Sequence, residues 1–333
     1  MRAFFTVGVF LLVVGLLAIG NAQPDSGAAT KIRTVTAFIR LDRQSYRPQI
    51  EKTLIFLRTA RAELIKAGYE VETIRITTQP FSEYTQGMTL EQVLAFFHEY
   101  DALAQKENFA PDIGPALIND GDDAGQADLL AQIIASTNNI NSFIVVADDS
   151  GIHWKAIRAA ARINKYLEEH TTNSQGNFRF ASAAFPPSVA PFFPVSYTSG
   201  AGHDFAIGME SANIAQRVFS GGNTDFTTAA EQLTVALSDE ARKVEQIANR
   251  VEAQTGWKYQ GIDLTPVPLK EISIGAAMES LIQNNIGSPG SLSAAYAITS
   301  AVHRVPVKQV GYGGLMLPVL EDSVLAKRWE AGT

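Results

Sequence analysis

The sequence predicts an α/β fold, and three observations carry that expectation. β-Branched runs alternate with stretches of helical periodicity, Gly and Pro fall at the joints between them, and no internal repeat interrupts the order. Residues 32–39 are rich in Ile, Val and Thr and read as a first strand, after which Pro48 is placed to open a helix. Ile50, Leu54, Leu57 and Leu64 recur at helical spacing, Gly68 supplies the stop, and residues 69–76 read as a second strand. Helices over 90–106 and 124–136 then lead into the buried strand 142–147. Ile157, Ala160, Ile163 and Leu167 mark one face of a helix ending near His170, and 178–184 reads as extended. Between Thr171 and Asp204 the chain turns irregular, with Pro186, Pro187, Pro191 and Pro194 among Phe185, Phe192, Phe193 and Tyr197. A connection of this kind lines or covers a site, or wraps a domain edge. A long helix with one charged face follows over 227–254, ended by Gly256.

The chain has 333 residues, 46% hydrophobic and 18% charged, enough for one large core or two ordinary ones. It contains no cysteine, which excludes disulfides, thiolate metal sites, iron–sulfur clusters and a Cys nucleophile. A net charge of −7 gives no electrostatic footprint for nucleic acid, which needs clustered Lys and Arg. Residues 1–22 carry Arg2, an apolar run over 3–19 and then Gly20-Asn21-Ala22, the grammar of a cleaved signal peptide. The expected organisation is therefore a leader (1–22), a short linker (23–30) and a single α/β domain (31–333), secreted or periplasmic. An uncleaved membrane anchor is the alternative. No other segment is long and apolar enough to span a bilayer, and the oligomeric state stays open.

Several ordered motifs resemble the domain of unknown function 711 family. They are residues 31–40, Asn177-Phe178-Arg179-Phe180-Ala181, Pro191-Phe192-Phe193-Pro194, residues 205–210, Gly261-Ile262-Asp263-Leu264, Ser273-Ile274-Gly275 and residues 310–322. The likeness spans almost the whole chain after the leader. It implies a large α/β barrel of the pyruvate formate-lyase-like class, the class of the glycyl radical enzymes, and it implies no established reaction. The radical machinery of that class is missing. There is no thiol to relay a radical, and Val310-Gly311-Tyr312 lacks the preceding Arg and the intervening residue of the radical loop.

Five constellations are candidates for chemistry, each with a plainer alternative. Gly287-Ser288-Pro289-Gly290-Ser291 precedes a helical run, so the backbone N–H groups of Gly287 and Gly290 and the Ser291 hydroxyl could hold an anion, or simply cap the helix. The string lacks the Lys of a phosphate-binding loop. Asp263, at a strand end, and Glu271, before a helix start, could act as an acid and base pair or hold a divalent cation; otherwise they serve a tight turn and a solvated first turn. Asn177 and Arg179 flank Phe178 and would share one face of a strand, suited to a carboxylate or phosphate or to a structural ion pair. Tyr197 and His203 sit near the flexible Gly200-Ala201-Gly202 joint with Asp204 and are candidate acids, a plain loop histidine being the alternative. Gly311 and Tyr312 belong to a glycine-dense stretch that lets backbone approach a ligand or a neighbouring strand. The apparent calcium loop at 120–125 has Ala124 at its fifth position and no carboxylate at its twelfth, and the five histidines form no close-spaced pair. No cofactor is specified beyond that cation alternative.

The resulting expectation is a non-radical enzyme acting on a small anionic or polar metabolite. A binding protein without catalysis and a structural or partner-binding protein are the alternatives. The geometric expectation behind it is that Arg179, Asp263, Glu271 and Ser291 converge on one cavity.

Overall fold

The alternation of strands and helices builds a single mixed sheet with a helical layer. The computed structural model describes residues 30–222 and 225–333, so the expected leader and nearly all of the linker lie outside the described residues. Strand β1 (Lys31–Phe38) pairs in parallel with β2 (Val71–Thr77), β2 with β3 (Ala110–Leu117), β3 with β4 (Asn141–Asp148) and β4 with β6 (Phe180–Ala184). The two-residue β5 (Gly151–Ile152) folds back on the end of β4. On the other side of β1 lies β7 (Asp204–Glu210), antiparallel to it, and β8 (Lys258–Asp263) runs parallel to β7.

Each parallel step from β1 to β6 moves one position in the same direction through a helical connection: α1 (Tyr46–Lys66), α2 and α3 (Phe81–Thr85, Leu90–Glu107), α4 (Gly125–Ser136) and α5 (Trp154–His170). Right-handed crossovers that all advance one way put their helices on one face. Val35, Ala37, Ile74, Ile76, Phe205 and Ile207 point into that face and form its core with α1, where Phe56 stacks on Trp257 at 4.2 Å and tilts against Phe205. The long α7 (Phe226–Thr255) packs beside α1, and α9 (Ser291–His303) beside α7. The remaining helices are α6 (Ala212–Phe219), α8 (Ile274–Ile282) and α10 (Ser323–Ala331). Among the described residues no helix is long and apolar enough to cross a membrane.

The expected barrel is corrected to an open sheet. The ladder runs β4, β3, β2, β1, β7, β8, and the outer side of β8 is taken by backbone near 308–310 (Ile262 N–H to Lys308 O, 2.8 Å; Val310 N–H to Ile262 O, 3.1 Å). Because that side is occupied, β6 and β8 do not meet, and the ladder does not return on itself. A second correction concerns residues 178–179. The strand begins at Phe180, and Thr172–Arg179 form 3-10 turns instead, so Asn177 and Arg179 do not share a strand face.

With all helices on one side, the other face of the sheet is left to the Pro-rich segment. Residues on this face, in register, are Thr34 with Thr73, Thr36 with Arg75, Thr77 with Asp112, and Gly208 with Asp263. The irregular chain at 189–198 crosses it as a strap. Thr36 Oγ1 donates to Pro191 O at 2.8 Å, and Thr198 N–H donates to Thr78 O at 3.2 Å. Val195 and Tyr197 pack on Phe143, Val145 and Ala183. Gly208 has no room for a side chain, because a Cβ there would stand 2.5 Å from the Phe192 ring.

Candidate functional site

The polar stretch under the strap owes its chemistry to strand alternation. In Thr73-Ile74-Arg75-Ile76-Thr77 the isoleucines feed the helical core, and Thr73, Arg75 and Thr77 therefore face the strap. Arg75 is half-buried there. Its Nε donates to Thr73 Oγ1 at 3.1 Å, and its guanidinium lies 4.9 Å from the centroid of the Phe193 ring. Among the described residues no carboxylate lies within ion-pair distance of it, and burial, aided by the nearby Arg33 charge, lowers its pKa to about 10. A half-buried guanidinium without an acidic partner has a planar fork of donors to offer an anion.

Thr73 links this group to a second arginine, since its hydroxyl donates to Arg33 O at 2.8 Å. The β1 ladder skips a residue between Ile32 and Thr34, and Arg33 at that irregularity reaches three acids from separate parts of the chain. Its Nη1 donates to Glu72 Oε2 (3.1 Å) and Glu210 Oε1 (2.9 Å), and its Nη2 to Glu321 Oε2 (3.5 Å). Glu210 is 4% exposed; burial, then the Glu72 charge, push its carboxyl up to about 6 against the opposing pull of Arg33. Asp112, on β3 beside Thr77, is fully buried. Its Oδ1 accepts Gly114 N–H at 2.9 Å, while its Oδ2 and the neighbouring Thr77 Oγ1 have no partner. Burial holds this carboxyl well above the usual carboxylate range, with Gly114 N–H and Arg75 pulling it back only in part.

The residues expected from sequence fall into separate places. Asp263 is brought together with Gly311 and Tyr312. Its Oδ1 accepts Thr265 N–H (2.9 Å) and Oγ1 (2.6 Å), its Oδ2 accepts Tyr312 N–H (2.9 Å), and Gly314 N–H reaches Thr265 Oγ1 (3.2 Å). Both carboxylate oxygens thus tie the end of β8 to the glycine-dense loop, and burial raises the pKa of Asp263 and, to about 12, that of Tyr312. Glu271 is exposed in the turn before α8. His203 lies at the opposite end of β7 from Asp263, stacked on Trp257 at 4.3 Å. Asp204 accepts Gln260 Nε2 at 2.7 Å. Tyr197 packs 5.8 Å from the Phe143 ring, and burial raises its pKa.

Arg179 closes the end of α4, donating to Ile134 O (2.9 Å), Ile140 O (3.3 Å) and Thr137 Oγ1 (3.4 Å), and Asn177 donates to Asn164 O (3.3 Å). Ser291 spends its hydroxyl in its own turn, accepting Gly287 N–H (3.0 Å) and donating to Ser288 O (2.7 Å), next to Gly290 with φ of 102°. Arg179 lines a cavity of about 260 Å³ with Arg61, Glu72, Thr73, Asn108 and Asn139; Asp263, Glu271 and Ser291 are not among its lining residues. Arg75, Arg33, Glu72, Glu210 and Asp112 were not singled out by sequence reasoning. The alternation of polar residues in 73–77 is the signal that could have found Arg75.

Comparison with known proteins gives a family and no activity. Residues 26–333 match the family model described as uncharacterised ACR (DUF711). The chain is similar to a UPF0210 protein of Pyrobaculum islandicum, 26% identical over 90% of this chain and 72% of that protein. A UPF0210 protein of Pyrobaculum arsenaticum is 27% identical over 79% of this chain and 61% of its own length, and one of Methanocaldococcus jannaschii 25% identical over 63% and 48%. The chain thus spans between about half and three-quarters of the length of these relatives.

Proposed function

Because this chain belongs to the uncharacterised ACR (DUF711) family, which brings no reaction with it, we propose its function from the site: recognition of a small anionic metabolite on the strap-covered face of the sheet, anchored by Arg75. The observation that carries this reading is the lack of any acidic partner for Arg75 among the described residues, while Thr73 and the Phe193 ring fix its plane. A partly desolvated guanidinium without a counter-charge gains charge-assisted hydrogen bonds when a ligand supplies one.

An enzyme rather than a passive binder is favoured by the Glu72 and Glu210 pair, which share the guanidinium of Arg33, the residue whose backbone carbonyl lies two hydrogen bonds from Arg75. A carboxyl near 6 exchanges protons close to neutral pH, as a general acid or base must, and such help amounts to about 10²–10⁴ in rate. No radical step is part of this proposal. Export is also part of it, supported by the leader grammar of residues 1–22. Kinship with the pyruvate formate-lyase-like class is part of it too, and what supports it is the motif resemblance of residues 31–322.

The test is calorimetry and thermal unfolding of the full chain with propionate, inorganic phosphate and L-alanine. At a hundredfold excess over its dissociation constant, a bound anion stabilises by about 2.7 kcal/mol. Arg75→Gln should remove that stabilisation; binding that survives the substitution unchanged rejects the reading.

A further inference from the structure

On the reading that Arg75 anchors an anion, we propose that the ligand is a zwitterion, a small molecule with both a carboxylate and a primary ammonium group, as in an α-amino acid. Its carboxylate meets Arg75, and its ammonium meets Asp112 and Thr77.

An arginine and an aspartic acid stand on one face of the sheet without pairing with each other. Thr77 and Asp112 are Cα partners on β2 and β3, and Arg75 lies two residues before Thr77, so all three side chains leave the same face of the sheet. Arg75 and Asp112 are diagonal neighbours across the β2–β3 pair. No Arg75 nitrogen comes within 4.0 Å of a carboxylate oxygen among the described residues. Each end of the pair also has spare hydrogen-bonding capacity. Arg75 spends Nε on Thr73 and keeps its two-nitrogen fork. Asp112 Oδ2 and Thr77 Oγ1 are buried side-chain atoms without partners, a rare and costly arrangement in a folded protein.

An ammonium group carries three donors and a positive charge and satisfies both orphan oxygens at once. A dicarboxylate or a phosphate can meet only the protonated form of Asp112, as a hydrogen-bond acceptor, and brings it no positive charge. Phe143 and Val145 on β4 lie on the same face, since Asn141 pairs with Asp112 and Phe143 follows two residues on, and Val195 and Tyr197 of the strap close over them. The strap covers the whole arrangement, with Phe193 over Arg75 and Thr198 bonded to Thr78.

Binding has a proton signature. Burial favours the protonated form of Asp112 when the site is empty, and an arriving ammonium favours the ionised form, so one proton leaves the carboxyl for solvent. Arg75 on β2 shares the face of Asp112, Tyr84 and Tyr100 lie within its electrostatic reach from α2 and α3 behind the sheet, and all three keep their protons throughout that range.

Calorimetry on the full chain compares L-alanine with propionate, which lacks the ammonium, and ethylamine, which lacks the carboxylate. L-Alanine should bind about tenfold or more tighter than either. Asp112→Asn, which keeps the acceptor for Gly114 N–H, should bring L-alanine down to the level of propionate and leave propionate itself unchanged. L-Alanine no tighter than propionate, or an Asp112→Asn chain that keeps the preference, overturns the zwitterion inference and leaves the anion site standing. Failure of the parent reading is distinct: none of L-alanine, propionate and phosphate binds, or Arg75→Gln leaves their binding intact. Should Asp112→Asn not fold, the wild-type chain decides through L-alanine titrations at pH 5 in two buffers of different ionisation enthalpy. Net proton release supports the inference, and its absence overturns it.

Discussion

Replacing Gly311 with Ala places a methyl group in the space of the Asp263 carboxylate. Gly311 has a φ of 75°, and a Cβ built there overlaps Asp263 Oδ2. The left-handed backbone alone costs an alanine about 1–2 kcal/mol. The collision also pushes away the oxygen that accepts Tyr312 N–H at 2.9 Å, and a buried polar group left unpaired costs about 1–3 kcal/mol more. The expected loss is therefore about 2–5 kcal/mol. Gly256 provides the control, because its φ is 74° and nothing lies within 4 Å of the Cβ it would carry. Gly256→Ala should show only the backbone part. Urea unfolding of both variants, with unchanged slopes, measures the difference. Equal losses at the two positions would refute the reasoning, since they would mean that no carboxylate stands behind Gly311 and that β8 is not tied to the 311–314 loop.

Two further outcomes follow from the charged groups. Arg179→Met should lower stability by about 1–3 kcal/mol in urea unfolding, because it strips the donors from three oxygens at the end of α4, and should leave anion binding unchanged. Glu210 has its carboxyl raised from 4.5 to about 6, so the folded chain holds that proton more tightly than the unfolded one. Its contribution to stability is then complete below about pH 4.5 and lost as pH rises through about 6, a change of about 2 kcal/mol at 1.36 kcal/mol per pH unit. Unfolding free energies measured between pH 4 and 7 should show that fall in the wild type relative to Glu210→Gln; parallel curves would reject the assignment.

The sequence makes the elements legible and the site much less so. Helical spacing over Ile50, Leu54, Leu57 and Leu64 is a local signal, and α1 is found there as Tyr46–Lys66. The Pro and Phe composition around 185–197 foretells a covering segment because stiff aromatic chain cannot continue a ladder. Strand β3 escapes notice because Pro111, Gly114 and Pro115 sit within it, and it survives them through a register shift near Pro115. Which strand face meets which layer depends on strand order, and order is not written in any single segment. Arg75 and Asp112, 37 positions apart, become neighbours only once β2 and β3 pair. Arg33 needs an irregularity in its strand before it can reach Glu72, Glu210 and Glu321. Arg179 shows the converse: its composition suits an anion, but a 3-10 turn aims it at carbonyl groups of its own chain.

On the proposed reading, the Arg75 guanidinium is what a small anion meets. Arginine side-chain NMR tests it most directly, with the Arg75 signal assigned by its loss in Arg75→Gln and the chain titrated with whichever of propionate and L-alanine binds tighter. A saturable shift at Arg75 is expected, with the dissociation constant found by calorimetry, while the Arg179 signal stays in place. An Arg75 signal that does not move when the ligand saturates the protein would contradict it.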